Sequence, residues 1–322
     1  MARLSLGIDL GGTNARAAVV DADAGTIVAA HREPLQDRSP AAVVEVIRAA
    51  AATAAAAAGT GLAAFRQAGV GVAGQCLGAT GVVMNAPNLG WREVPVGDLL
   101  RRALGIPVRV ANDLSAAAWG ERCFGAARGI DDAALVFVGS GVGSGLVLGG
   151  RLHDGATGVA GEFGHIKVRP IRAGTPIRRC GCGEWSCLEA YTSGVNVAAR
   201  VREEIAAGAD SRVLDLAGGD AARITAGVVD LAYEGGDAYA VALWNEVGEM
   251  LGTSIANLAT LLNPARVILG GGVLLGAVNL SALVRRHLDE KVSRTAARAL
   301  TVEQAWLGDD AGVIGAALLE QG

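Results

Sequence analysis

Hydrophobic positions alternate along residues 4–34, "LSLGIDLGGTNARAAVVDADAGTIVAAHREP", and glycine turns at 11–13 and 23–25 break the alternation. Period-two patterning with such turns predicts an antiparallel meander of three strands. An alanine-rich helix is expected over 41–59, followed by short apolar strands at "AGVGVAG" (68–74) and "PVRVAND" (107–113). "LSAAAWGERCFG" reads as a helix stopped by Gly125. At 133–152 the strand, glycine turn, strand device returns as "AALVFVGSGVGSGLVLGGRL". Residues 153–187 are too rich in glycine and proline for regular structure, and helical patterns dominate from Leu188 to Leu262. "ARVILGGGV" (265–273) is a buried strand running into three glycines, and "DDAGVIGAALLE" is a closing helix. One device in both halves predicts two similar α/β lobes with a cleft between them.

Composition supports this size of core. Apolar residues make up 51% and charged residues 19% of 322 positions, enough for two domains. The formal net charge is −4, basic residues are scattered, and aromatics are only 4%. That pattern argues against nucleic acid as a partner. The 41–59 stretch carries Glu45 and Arg48 and is mostly alanine, a strong helix former and weak hydrophobe, so it reads as a surface helix and no membrane partner is expected. "MARLSLGIDLGGTN" has no apolar run with a small-residue cleavage site, which predicts a cytoplasmic chain. Five cysteines, an odd number in a long chain, do not suit a small disulfide-stapled domain.

Several clusters could carry chemistry. "GVGVAG" (69–74) is formally G-x-G-x-x-G, but "QCLGATGVVMNAPN" behind it cannot open a helix, so the dinucleotide reading fails. "DLGGTN" (9–14) and "GSGVGSG" (139–145) are either ordinary hairpin turns or backbone nests for phosphate. One per half, with "GGG" at 270–272, favours the nucleotide reading. Cys180, Cys182 and Cys187 follow His165 closely, giving either a tetrahedral zinc set or a surface loop of free thiols. His31, His153 and His287 have no partner pattern and read as surface residues. Asp113, between a strand end and a helix start, is a ligand-facing carboxylate or a helix N-cap.

Eight motifs occur in order over nearly the whole chain: "GIDLGGTNARAAVVD", "GVVMNAPNLGWREVP", "ANDLSAAAWGE", "GSGVGSGLVLGGRLHDG", "GEFGHI", "CGCGEWSCLEAYTSG", "TLLNPARVILGGGV" and "LGDDAGVIGAALL". On these the sequence resembles the sugar kinase, actin and chaperone ATPase superfamily. More narrowly it resembles the ROK family (repressors, open reading frames and kinases), especially its glucokinases. The resemblance implies an α/β fold of two ribonuclease H-like lobes with a hinged cleft. A small lobe, 1–112 plus 309–322, would hold the first phosphate loop and part of the sugar site. A large lobe, 113–308, would hold Asp113, the second phosphate loop, the zinc site and the adenosine motif.

The implied activity is ATP-dependent phosphorylation of a hexose, glucose to glucose 6-phosphate. N-acetylmannosamine, N-acetylglucosamine, fructose and allose kinases are alternatives, with polyphosphate as an alternative donor, as is a non-catalytic sensor or repressor. Against the repressor, the "DLGGT" strand begins within a few residues of Met1, leaving no room for a helix-turn-helix. By resemblance, Asp113 is the general base, and Gly74, Gln75, Asn112, Glu162, His165 and Glu189 join it around the sugar. Without that resemblance Glu162 and Glu189 read as solvent-facing loop charges, and Gln75 reads almost as readily as a solvent-facing residue after a glycine turn. ATP phosphates would rest on Gly11, Gly12, Thr13, Asn14, Gly139, Ser140 and Gly141, with adenosine near Gly271 and Gly272. Asp9 would be an outer ligand of Mg²⁺. His165, Cys180, Cys182 and Cys187 would hold a structural Zn²⁺. The assembly implied is a homodimer or homotetramer. Two departures stand out: Asn14 where the family often has lysine, with Arg16 as a possible substitute, and Ser186 where it usually has glycine. A tight turn with positive φ would be strained at Ser186.

Overall fold

The computed structural model describes residues 3–319. β1 (Leu4–Leu10), β2 (Asn14–Asp21) and β3 (Thr26–Pro34) form the antiparallel meander that the alternation predicts. β1 and β2 stay in register up to Leu10↔Ala15, which leaves Gly11, Gly12 and Thr13 as the tip of the turn. α1 (Pro40–Ala57) follows, then β4 (Ala68–Val72), β5 (Gln75–Leu77), β6 (Val82–Ala86), β7 (Trp91–Val94), α2 (Val96–Leu104), β8 (Val108–Asn112) and α3 (Asp113–Phe124). β9 (Ala133–Val138), β10 (Val142–Leu148) and β11 (Arg151–Leu152) make the second glycine-turn unit. After an irregular stretch come α4 (Glu189–Thr192), α5 (Gly194–Ala206), α6 (Val213–Leu216), α7 (Ala226–Glu234) and α8 (Ala238–Leu262). The chain then forms β12 (Arg266–Gly270), α9 (Gly272–Gly276), α10 (Val278–Lys291), β13 (Thr301–Gln304) and α11 (Ala311–Ala317).

The strands make two five-stranded sheets, ordered β3-β2-β1-β4-β8 and β11-β10-β9-β12-β13, and a small sheet β5-β6-β7. In the first, β1, β4 and β8 run parallel while the meander is antiparallel, so the sheet is mixed. α1 buries Val43, Val44, Ile47, Ala50, Ala51, Ala54 and Ala55, a stripe at helical spacing, into the core with Leu6, Ile8 and Leu10. By length and composition it could cross a membrane, the one such helix among the described residues.

Contacts divide the chain into two compact units. The first is Met1–Leu135, Gly145–Gly161 and Ala305–Gly322; the second is Val136–Ser144 and Glu162–Gln304. The expected division at 112/113 and 308/309 therefore moves, and α3 with Asp113 goes to the first unit. The reason is close helix packing. A Cβ on Gly120 or Gly315 would strike the backbone of the facing helix, Ala311 O and Ala116 O respectively, so only glycine lets α3 and α11 approach this far. Trp119 of α3 also donates to Leu318 O at 3.0 Å. The same helix α11 explains a glycine of the misleading "GVGVAG": a Cβ on Gly69 would collide with Ala316 O. β4 leads into strand β5, not a helix, as the rejection of the dinucleotide motif requires.

The second unit packs around the fully buried Trp244, Tyr191, Leu243, Leu251 and Ile255. Asp230 accepts from Trp244 Nε1 at 2.7 Å and from the Asn279 and Leu280 amides, tying α7 and α8 to the start of α10. His287 corrects a surface expectation: its side chain is only 12% exposed, lying over Gly252 of α8 and beside Glu290. His31 pairs with Glu33, and His153 is exposed.

Candidate active site

In the first unit, the Gly11–Asn14 turn closes through Gly11 N donating to Asn14 O at 3.1 Å. Thr13 is exposed at its tip, and Asn14 spends its amide on Thr13 Oγ1 at 2.9 Å. Gly12 is pressed against Asn88, where a Cβ would come within 2.7 Å of that side chain. Arg16 does not replace the missing lysine. Its guanidinium is committed to Asp310 Oδ1 at 2.6 Å and Asp309 O at 3.2 Å. Asp9 lies on β1 opposite Arg16. Burial pushes its carboxyl above the ordinary range, against the pull of Arg16 and Arg32 and with help from Asp309.

β8 delivers Asn112 and Asp113 to the start of α3. Asn112, not Asp113, is the N-cap: its Oδ1 accepts from Leu114 N at 2.9 Å and Ser115 N at 3.2 Å. Its Nδ2 donates to Gly74 O at 3.0 Å, which fixes the Gly74–Gln75 strand entry to the helix start. Asp113 thus becomes the first helical residue, with Oδ1 accepting from Leu114 N at 3.0 Å. Gln75 is half-buried and opens β5 opposite Asn85 of β6, so it does not simply trail into solvent. The structure joins Asn112 to Gly74 directly, with Asp113 and Gln75 the next residues along each segment.

In the second unit, the Gly139–Gly141 turn closes by Gly139 N donating to Gly141 O at 2.9 Å, with Ser140 exposed. Gly271 needs its lack of side chain: φ is +92° and a Cβ would run into the Val138 backbone. A cavity of about 700 Å³ opens beside these turns, lined by Gly139, Ser140, Gly194, Thr225, Gly272 and Val273 among others. Its walls add Phe137, Val195, Ala198 and Ile224, an apolar surface beside glycine-rich backbone. Thr225 and Val195 escaped the sequence reading because nothing in their local pattern links them to a turn 50 or more residues earlier. Only "ITAG", a helix-start signal, marks Thr225, and it does cap α7.

Glu189 opens α4 and bridges two features. Oε2 accepts from Val142 N at 2.9 Å beside the glycine turn, and Oε1 accepts from Cys180 Sγ at 3.6 Å. Glu162 precedes the short turn Phe163–His165, and its Oε2 lies 3.5 Å from His165 Nε2. His165 Nδ1 instead faces Cys180 Sγ at 3.8 Å. One ring nitrogen serves the thiols and the other the carboxylate, the arrangement that orients a metal-bound imidazole.

The ligand atoms of His165, Cys180, Cys182 and Cys187 all lie within 4.8 Å of one another. Cys182 Sγ and Cys187 Sγ are 3.7 Å apart. A tetrahedral site with metal–sulfur bonds near 2.3 Å has edges of about 3.8 Å, so the donor set fits a metal ion. Burial pushes the Cys180 thiol up to about 12 and raises Cys187 as well, so only a strong cation would keep these sulfurs as thiolates. Ser186 takes φ +61°, the left-handed conformation that the missing glycine foretold.

The irregular loop before the cysteines is not loose. Arg172 reaches Glu204 at 2.9 Å, and Arg200, 1% exposed, reaches Glu246 at 2.7 Å and Glu204 at 2.9 Å. Thr175 and Arg172 N both engage Glu246. Arg178 N donates to the buried Tyr191 hydroxyl at 2.9 Å. A charge-balanced cluster of two arginines and two glutamates thereby anchors the loop to α5 and α8.

The ROK family model matches residues 5–322. This chain belongs to the ROK family. A glucokinase of Streptomyces coelicolor is 34% identical over 317 residues, covering 98% of this chain and 96% of the relative. An N-acetylmannosamine kinase of Shigella boydii is 32% identical over 321 residues, 99% of this chain and 98% of the relative. The solved ROK glucokinase of Streptomyces griseus, in complex with glucose and AMPPNP, superposes with a TM-score of 0.80 at 34% identity, covering 99% of this chain and all of that one. The mixed-sheet α/β architecture is thus the ROK fold.

Proposed function

We propose that this ROK protein transfers the γ-phosphoryl group of ATP to a hexose, with glucose as the preferred substrate. The match to glucokinases over nearly the full chain, with Asp113 in place at the α3 N-terminus, carries this reading. In the first unit, Asp113 accepts the proton of the attacking sugar hydroxyl, whose oxygen then bonds to phosphorus as ADP leaves. A carboxylate suffices because the transition state is loose and the protein mainly positions groups and stabilises charge. Asn112 fixes the Gly74–Gln75 entry, and Gln75 fills the space that a 2-acetamido group needs. The Gly11–Asn14 turn holds phosphate. In the second unit, the apolar cavity takes the adenine, the Gly139–Gly141 turn and Gly271–Gly272 take phosphate and ribose, and Glu162, His165 and Glu189 bind sugar hydroxyls.

Asp9, acting through water, would hold the Mg²⁺ that accompanies ATP and neutralises phosphate charge. Zn²⁺ in the His165, Cys180, Cys182 and Cys187 set would stiffen the loop that presents Glu189. ATP and reduced thiols both point to the cytoplasm. The N-acetylmannosamine kinase reading stays in play on the 32% match over 99% of the chain. Phosphorylation of glucose, mannose, N-acetylglucosamine and N-acetylmannosamine with ATP and Mg²⁺ separates the two. A best substrate that carries an acetamido group overturns glucose, and failure on every hexose overturns the kinase.

A further inference from the structure

Lysine is scarce in this chain. Of 28 lysine and arginine residues, only Lys167 and Lys291 are lysine. Lys291 pairs with Glu249 at 2.6 Å, an ordinary surface ion pair. Lys167 is placed differently: its Nζ lies 3.3 Å from Cys187 Sγ, a sulfur of the candidate metal set. The backbone fixes that approach. Lys167 and Cys187 oppose each other as an antiparallel bridge, flanked by Val168 N donating to Ser186 O at 2.8 Å and Leu188 N donating to Ile166 O at 3.0 Å.

Charge counting says what an ammonium does there. Three thiolates and a neutral imidazole around a divalent ion leave a net charge of −1. Cys187 is fully buried, so water does not offset that charge at its sulfur. A charge-assisted hydrogen bond from an ammonium does. Lysine offers a compact point charge, whereas arginine, used almost everywhere else in this chain, spreads its charge over a planar fork. The competing partner, Glu184, is 3.9 Å away, and with Lys167 53% and Glu184 74% exposed such a surface pair contributes little.

We propose that Lys167 is a working part of the metal centre, donating to the Cys187 sulfur and cancelling the residual negative charge so that the ion is held tightly. This rests on reading the four-residue cluster as a metal site. The test compares the parent with Lys167→Met, Lys167→Gln, Lys167→Arg and Glu184→Gln, purified without added metal. Metal per chain is measured by elemental analysis, and affinity by competition with a colorimetric zinc chelator. Loss of an outer partner of a metal ligand typically lowers affinity about 10–100-fold, the fall expected for Lys167→Met and Lys167→Gln. Lys167→Arg restores part of it, and Glu184→Gln changes nothing. In the cobalt-substituted protein, the sulfur-to-metal charge-transfer band moves to lower energy in Lys167→Met, because the thiolate has lost its donor. A parent that binds zinc with Lys167 variants that bind it equally, the band unshifted, overturns the proposal alone. A parent that binds no divalent ion overturns the metal centre itself.

Discussion

Removing the Asn112 side chain should weaken two separate things, and the structure says how much each. Asn112→Ala takes away the N-cap of α3, with its two accepted hydrogen bonds, at a cost of about 1 kcal/mol. It also leaves Gly74 O without its donor, about 1 kcal/mol more for a half-buried carbonyl. The sum is about 2 kcal/mol, or roughly 4–8 °C in Tm for a unit of this size. Asn112→Asp separates the two contributions. Aspartate caps as well as asparagine, but its carboxylate faces the Gly74 carbonyl with no hydrogen to donate. It should therefore lose about 1 kcal/mol, roughly 2–4 °C. Thermal unfolding gives the totals, and hydrogen exchange at the Leu114 and Ser115 amides gives the cap alone. Those amides should exchange faster in the alanine variant and stay protected in the aspartate variant. Both variants should raise the sugar KM, because the Gly74–Gln75 entry is released in each. Equal stability losses with equal exchange in the two variants, or an alanine variant as stable as the parent, would refute the reasoning.

Asp113→Asn should keep the fold and sugar binding yet lower kcat by about 10²–10⁴-fold, since the amide cannot take the proton; near-normal turnover in a coupled ADP assay sinks its role as base. Cys180→Ser should fail to retain the zinc proposed for this cluster and should melt lower than the parent, read by elemental analysis and calorimetry; full metal content in the variant would count against a four-ligand site. Asp9→Asn should stabilise the protein at neutral pH. Asp9 is raised by burial, so its folded pKa exceeds its unfolded one, and the parent loses stability as pH rises through the folded value. The gap between variant and parent should close below the ordinary carboxylate pKa in urea titrations, and a gap independent of pH would exclude this cause. Glu121→Ala should destabilise the first unit by about 2–4 kcal/mol in urea denaturation, because this buried carboxylate accepts from both Ala126 N and Leu307 N; a midpoint unchanged from the parent contradicts that.

Local features were legible wherever the signal was local. The meander, both glycine turns and the thiol set follow from spacing alone, and even the positive φ at Ser186 was anticipated from a missing glycine. Features that depend on partners far along the chain were not. Nothing near Arg16 announces that Asp309 and Asp310 will claim its guanidinium. "AND" at 111–113 offers two good capping residues, and only the reach of Asn112 to Gly74 shows which one caps and which becomes the first helical residue. The loop before the cysteines reads only as irregular by composition, yet Arg200 and Glu246, from two later helices, pin it. The packing of α3 on α11 is hidden for a similar reason: Gly120 and Gly315 look like poor helix residues until the two helices are seen to touch.

That contact between α3 and α11 also sets an order of events during synthesis. The ribosome must add everything between Phe124 and Ala311 before the first unit can receive α11. At about 5–20 residues per second this takes roughly ten to forty seconds. The second unit has all its residues by Gln304, only a few residues before α11 begins, so the strands made first wait the longest for their last partner. Until α11 arrives, Gly7 of β1 and Gly69 of β4, which its backbone later covers, stay bare to the nascent-chain environment. The portion made first thus stays unfinished until nearly the whole chain is made, and slowing translation anywhere between the two helices should lengthen its exposure to proteases and chaperones.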